Sequence, residues 1–234
     1  MVDKDLFGQA LHDYWYKQAS EDMLTWTHLT EPEILPTAYL FRNFDLMPKV
    51  EQLALQTASG QILDVGAGSG THSLWLQNKG EEVTALELSE LSCRLMTDRG
   101  IKNVIQDDFF KFRPDQTFDT ILFLMNGVGI VQRAQNLDRL FIKLKQILSP
   151  EGQALIHSSD LKYLFESPEG YLMPSKEYYG DVDFFIGYKN QVEQINWTYI
   201  DENTLRIFAQ KHGFRARTLY TSDENDFLIS VKFT

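Results

Sequence analysis

The stretch ILDVGAGSGTHSLWL, residues 62–76, decides the fold. It reads as a short apolar strand, a glycine-rich turn and the start of a helix. Asp64, Gly66, Gly68 and Gly70 occupy every second position of the turn. A backbone without side chains turns sharply and lets a bulky ligand approach closely. The first turn of the helix then points unpaired N–H groups at that ligand. A dinucleotide fingerprint requires G-x-G-x-x-G, and counted from Gly66 its third glycine falls at Thr71. The spacing therefore disfavours a nicotinamide dehydrogenase.

Outward from this turn, strand and helix alternate across residues 61–157. QILDV (61–65), EVTALE (82–87), KNVIQ (102–106), FDTILFLM (118–125) and GQALIH (152–157) read as five strands. The nearly continuous apolar run at 118–125 fits a central parallel strand buried on both faces. Ser89 caps one intervening helix, and Leu137, Leu140, Phe141, Leu144, Ile147 and Leu148 form an apolar stripe on another. Asp201 caps a last helix that stops at Gly213, and RARTLYT and DFLISVKFT form a closing antiparallel hairpin. The pattern predicts an α/β fold with a doubly wound, Rossmann-like seven-stranded sheet.

Two segments flank that core. Leu6, Phe7, Ala10, Leu11, Tyr14 and Trp15 recur at helical spacing, and Pro48 suits the first position of a second helix. Residues 1–60 therefore read as an N-terminal helical lid on a domain spanning 61–234. After the fifth strand, residues 158–200 read as a β-hairpin insertion, with Val182, Phe184, Ile186 and Tyr188 alternating on one side of Lys189-Asn190 and Ile195, Trp197 and Tyr199 on the other. Both segments are rich in aromatics, which suit a small organic substrate and a sulfonium cation, and also suit plain core packing.

The 234 residues suit one elaborated domain. With 22 basic and 33 acidic residues the chain carries a net charge of −11, a field that repels nucleic acid. Cys93 is the sole cysteine, so no intramolecular disulfide forms, and a reducing cytoplasm fits. The N-terminus shows no signal-peptide pattern, and no apolar run reaches the ~18 residues of a membrane helix. His28, His157 and His212 fall in no ligand spacing, so no metal site is expected.

Asp64-Val65-Gly66-Ala67-Gly68-Ser69-Gly70, with Glu87 ending the next strand 23 positions after Asp64, resembles motif I and the ribose-binding acid of class I S-adenosylmethionine (SAM)-dependent methyltransferases. Asp107-Asp108-Phe109 is similar to that family's adenine-binding motif, FDTILFLMNGVGIV (118–131) to its motif IV, and LSPEGQALI (148–156) to its fifth-strand turn. The resemblance implies SAM as cofactor, held by Asp64, Gly66, Ala67, Gly68, Gly70, Glu87, Leu88, Asp108, Phe109 and Met125. Asp108 would meet the adenine amino group and Phe109 the ring. Met125 would lie beside the reactive methyl.

A sulfonium methyl is already electrophilic, so the enzyme must mainly align a nucleophile and exclude water. Two candidate catalytic residues stand near the expected reaction site. Asn126 either orients a substrate polar group or serves as a turn residue before Gly127. His157 is either a general base or a packed histidine. Met125-Asn126-Gly127 departs from the Asn-Pro-Pro-aromatic signature of exocyclic-amine methylation, which weighs against a nucleic-acid target. The sequence favours methyl transfer to a small organic molecule. Methylation of a protein side chain, or a non-catalytic binding role, are the alternatives. Oligomeric state is not encoded in any motif.

Overall fold

The computed structural model describes residues 4–18, 21–168, 170–171, 174 and 177–234. Of the expected lid, residues 1–3 and 19–20 lie outside the described residues, as do 169, 172–173 and 175–176 of the expected insertion. The described elements, in chain order, begin with α1 (Leu6–Lys17), β1 (Met23–Thr27), β2 (Glu33–Leu35) and α2 (Lys49–Thr57). The core follows as β3 (Gln61–Val65), α3 (Thr71–Asn78), β4 (Glu82–Glu87), α4 (Glu90–Asp98), β5 (Val104–Gln106), β6 (Phe118–Phe123), α5 (Leu137–Ile147) and β7 (Leu148–Ser159). The remainder is β8 (Glu166–Ser167), β9 (Gly170–Tyr171), β10 (Asp181–Tyr188), β11 (Gln191–Thr198), α6 (Glu202–Lys211), β12 (Phe214–Thr221) and β13 (Asp226–Phe233).

The central sheet has seven strands in the order β12-β13-β7-β6-β3-β4-β5. Strands β7, β6, β3, β4 and β5 run parallel, while β13 is antiparallel to both of its neighbours. The apolar strands are buried on both faces, as their sequence requires. On one side Phe118, Ile121, Phe123, Ile156 and Ile229 pack with Phe141 and Leu144 of α5 and Leu205 of α6. On the other, Ile62, Leu122, Leu155 and Leu228 pack with Val50, Ala54 and Leu55 of α2. Strand order reverses at β3, between β4 and β6, and the glycine turn sits there, at the carboxyl ends of the strands where open α/β sheets bind ligands.

The N-terminal stretch departs from the expected helical lid. α1 and α2 form as the periodicity predicts, but Met23–Thr27 and Glu33–Leu35 are strands, and Thr37–Phe41 and Phe44–Leu46 are single 3-10 turns. β1 and β2 join β10 and β11 in an antiparallel sheet of order β11-β10-β1-β2, here termed the cap sheet. The helical stripe of α1 does not continue past Lys17, and MLTWT instead suits a strand: it is rich in β-branched and aromatic residues and buries Met23 and Thr27 two turns of the pleat apart. Its partner β10 lies far along the chain, so local sequence could not announce the pairing. The β10–β11 hairpin turns at Lys189 and Asn190, both in the left-handed region, as read from the sequence.

Candidate active site

The glycine turn divides its labour. Gly66, Gly68 and Gly70 all adopt positive φ, between 56° and 77°. A side chain at Gly66 would meet nothing within 4 Å, so that position opens onto free space. At Gly68 the nearest atom is Phe7 Cε1 of α1, 3.7 Å from where a Cβ would lie. Gly70, by contrast, is pressed onto Met96 and Ile101, and a Cβ there would overlap them. Gly70 therefore sets helix packing, while Gly66 and Gly68 form a cradle. The Ala67 methyl packs with Ala85, Met96 and Ile101, and the N–H groups of Gly66 and Ala67 donate to the Leu86 carbonyl. Asp64 is fully buried under the turn, where Ser73 Oγ donates to its Oδ2 at 2.6 Å. Burial pushes its carboxyl up, against the pull of His72 and Ser73. Asp64 thus braces α3 against the turn.

Glu87 sits at the end of β4, facing the same turn. Its Oε2 accepts from the Gly68 N–H at 2.9 Å, and its Oε1 accepts from the N–H groups of Leu88 at 2.7 Å and Ser89 at 2.9 Å. Burial raises its pKa despite these donors, and the nearby Asp5 carboxylate adds to the rise. Beside it lies a cleft of about 380 Å³, lined by Asp5, Leu88, Ser89, Asp107, Asp108 and Lys111 among others. Asp108 Oδ1 accepts from the Phe110 N–H at 2.8 Å, which fixes the loop after β5. The Phe109 ring is buried, edge-on to Phe110 and Phe123. An apolar ring flanked by core residues gains more from burial there than from a half-open cleft.

The other end of the site gathers around Met125 and Asn126, which follow β6. Both adopt left-handed backbone, φ 53° and 58°. Asn tolerates this region, whereas Met there is strained, and such strain concentrates at functional sites. Met125 is 37% exposed, and Arg42 Nη2 approaches its sulfur at 3.6 Å. Ser159 Oγ donates to Asn126 Oδ1 at 2.9 Å, leaving the amide N–H groups of Asn126 directed elsewhere. His157, two residues before Ser159, is buried on the same side of the sheet. Its Nε2 lies 3.3 Å from Asp226 Oδ2, close enough to pair but not aligned as a hydrogen bond. Asp226 in turn borders a second cleft of about 330 Å³, with Pro48, Lys49, Tyr220, Ser222 and Asp223.

Sequence reasoning missed a buried ionic cluster at this end. Glu51 of α2 accepts two contacts from Arg42 and pairs with His72 Nε2 at 2.7 Å. Arg42 and Glu51 are almost wholly buried. Burial alone pushes the Glu51 carboxyl up, but His72 and Arg42 outweigh it and hold it below the usual range. The Arg42 guanidinium also stacks on the Tyr39 ring, 3.8 Å from its centroid, and its Nε has no partner among the described residues. The signal available was a lone Arg inside the aromatic run AYLFRNF, a position where a charge is out of place unless paired.

α1 and the cap sheet reach both ends. Glu193 of β11 accepts from the N–H groups of Lys4, Asp5 and Leu6, satisfying the first turn of α1. Trp197 of β11 lies against Gly129, where a Cβ would overlap its indole, and Arg133 bonds Asp183 and Asn196 of the cap sheet, each at 2.7 Å.

Comparison with known proteins accords with this geometry. The methyltransferase domain family model matches residues 62–152. A SAM-dependent methyltransferase from Bacteroides fragilis, crystallised with S-adenosyl-L-homocysteine, is 40% identical, covers 100% of this chain and 97% of its own, and superposes with a TM-score of 0.91. This chain belongs to the class I SAM-dependent methyltransferases. SAM is accordingly the cofactor, and the free space before Gly66 together with the Glu87 carboxylate fits such a ligand. Two more distant methyltransferases are similar over part of their length. An uncharacterized methyltransferase of Staphylococcus carnosus is 29% identical over 167 residues, 69% of this chain and 73% of its own. A ubiquinone biosynthesis O-methyltransferase of Rickettsia canadensis is 23% identical over 163 residues, 66% of this chain and 63% of its own. No helix among the described residues is long and apolar enough to cross a membrane.

Proposed function

We propose that this methyltransferase acts on a small organic molecule bound between the Met125–Asn126 end of β6 and the cap sheet. The observation that carries this reading is the docking of the cap sheet onto the turn after β6, through Trp197 on Gly129 and Arg133 on Asp183. A wall at that position suits an enclosed acceptor better than a protein surface. The net charge of −11 also weighs against a nucleic-acid substrate.

In this reading Gly66 and Gly68 admit the donor, Glu87 accepts from the ribose hydroxyls, and Asp108 accepts from the adenine amino group beside Leu88. Arg42, held by Glu51, offers its unpaired Nε to the carboxylate of the donor's amino-acid end. When bound, SAM supplies the electrophilic methyl. Asn126, with its carbonyl engaged by Ser159, donates its amide hydrogens to a polar group of the acceptor. For a hydroxyl acceptor, His157 takes the proton, with Asp226 holding its ring. The cap sheet and α1 exclude water, which protects the reaction.

The test is incubation of the purified protein with methyl-tritiated SAM and a fractionated cell extract. Label in the low-mass fraction supports the reading. Label confined to protein would replace it with side-chain methylation, and S-adenosyl-L-homocysteine binding without transfer to any fraction would leave a non-catalytic binder.

A further inference from the structure

α5 carries a charge within its apolar stripe. Lys143 stands three residues after Leu140 and four before Ile147, both of which pack into the core. It is only 3% exposed. An ammonium is seldom buried unless it is paired. The proposed methyl transfer has no step for it. Its Nζ donates to the Phe112 carbonyl, and lies 5.9 Å from the centre of the Phe109 ring and 5.8 Å from that of Phe112. Both distances are within cation–π reach. Burial draws the ammonium's pKa down and Arg113 adds to the fall, while the Asp107 and Asp108 carboxylates pull it back. Replacing a buried charge by an apolar side chain of similar volume is often neutral or stabilising. Stability alone therefore gives little reason for a lysine at this place.

The Phe112 carbonyl ends the turn that carries Asp108. The N–H groups of Lys111 and Phe112 both donate to the Asp108 carbonyl at 2.8 Å, which closes residues 108–112 into one turn. At its start the Asp107 N–H donates to the Glu87 carbonyl at 3.1 Å and ties the turn to β4. At its end the exposed Arg113 also donates to the Phe112 carbonyl, at 3.1 Å, but Lys143 brings the tie from α5. We propose that Lys143 is a positioning residue for the donor's adenine: by holding the Phe112 carbonyl to α5 it sets where the Asp108 carboxylate stands. This rests on the reading of Asp108 as the acceptor of the adenine amino group. Asp108 lines the cleft beside Glu87, and its Oδ1 is taken by the Phe110 N–H, which leaves Oδ2 for the ligand. A turn anchored only at Asp107 would let that oxygen swing, and a hydrogen bond weakens steeply as its angle closes. With one end tied to β4 and the other to α5, the oxygen is in place before the ligand arrives. Preorganisation of this kind raises affinity.

The probes are S-adenosyl-L-homocysteine and S-inosyl-L-homocysteine, in which a carbonyl oxygen replaces the exocyclic amino group. Calorimetric titration of the full chain should show the adenosyl ligand preferred by about tenfold or more, because Oδ2 accepts from the amino group but opposes a second acceptor. Asp108→Asn puts an amide N–H there and should abolish the preference. Lys143→Met removes the tie and the charge, and should fold with an unchanged circular dichroism spectrum. Its preference should shrink to about threefold or less, through weaker binding of the adenosyl ligand with the inosyl ligand little changed. Lys143→Gln, whose amide nitrogen stands one atom nearer the backbone, should give the same loss and serves if the methionine variant unfolds. Lys143→Arg, which still donates, should keep the preference. Equal weakening of both ligands, as a merely structural lysine would give, overturns the proposal. So does an unchanged preference in Lys143→Met when Asp108→Asn has lost it. An Asp108→Asn variant that keeps the preference overturns the reading of Asp108, and the role of Lys143 with it.

Discussion

The Ser89 hydroxyl donates to Asp5 Oδ2 at 2.7 Å, fastening the start of α1 to the start of α4. Ser89 stands two residues after Glu87, whose Oε1 also accepts the Ser89 N–H. One residue thus touches both the N-cap of α1 and the proposed ribose acid. If the donor binds at Glu87 and α1 is a lid, Ser89 links the two. On addition of S-adenosyl-L-homocysteine, hydrogen exchange should slow in α1 as well as in the glycine turn. Slowing at the glycine turn alone would show that α1 is no lid.

Glu87→Ala should weaken S-adenosyl-L-homocysteine binding roughly ten- to a hundredfold in a folded protein, the range for a charge-assisted hydrogen bond. pH gives a second readout. Burial raises the Glu87 pKa, so its charge is lost at a higher pH than an ordinary glutamate's. Affinity should be full above that raised value and fall as pH drops through it. Asp5 lies beside Glu87 with a pKa also raised by burial, so Asp5→Asn is the control that should leave the fall in place. Calorimetry across pH checks both, and a flat affinity profile contradicts the role.

Gly66→Ala and Gly70→Ala should separate ligand from fold. Both place a Cβ on left-handed backbone, costing ~1–2 kcal/mol. At Gly66 nothing further stands in the way, so the variant should fold, melt slightly lower and lose cofactor binding by more than tenfold. At Gly70 the Cβ meets Met96 and Ile101, so the loss should appear first in thermal stability. Equal effects of the two changes on the melting temperature would erase the distinction.

Glu51→Gln should destabilise the protein by about 3–5 kcal/mol, because Arg42 is left buried without its counter-charge. In the wild type the Glu51 pKa is lowered, so its contribution is present above the ordinary glutamate pKa and lost as pH falls through the lowered one. Chemical denaturation at neutral and acid pH should show the gap between wild type and Glu51→Gln narrowing on the acid side.

The seven-stranded sheet was legible because each of its parallel strands carries its own apolar run, and Gly66, Gly68 and Glu87 mark its ligand edge within 22 residues. Motif position places Phe109 in the loop after β5 but says nothing of which way its ring turns, and the ring packs edge-on to Phe123. The strands at 23–35 were hidden for another reason. β1 draws one of its two partners from β10, more than 150 residues along the chain, and β2 is only three residues long. The cluster of Arg42, Glu51 and His72 joins three segments, and no local spacing links them.

The pairing of β1 with β10 also bears on how the chain closes during folding. These strands lie more than 150 residues apart in the chain, so closing the loop between them is entropically costly unless the intervening residues have already condensed. Condensation of the parallel core shortens that loop and lowers the cost of bringing the two strands together. During synthesis β1 leaves the ribosome early with β2 as its local partner, and its other edge stays open until β10 arrives. An apolar strand in that position is a template for wrong partners until its own arrives.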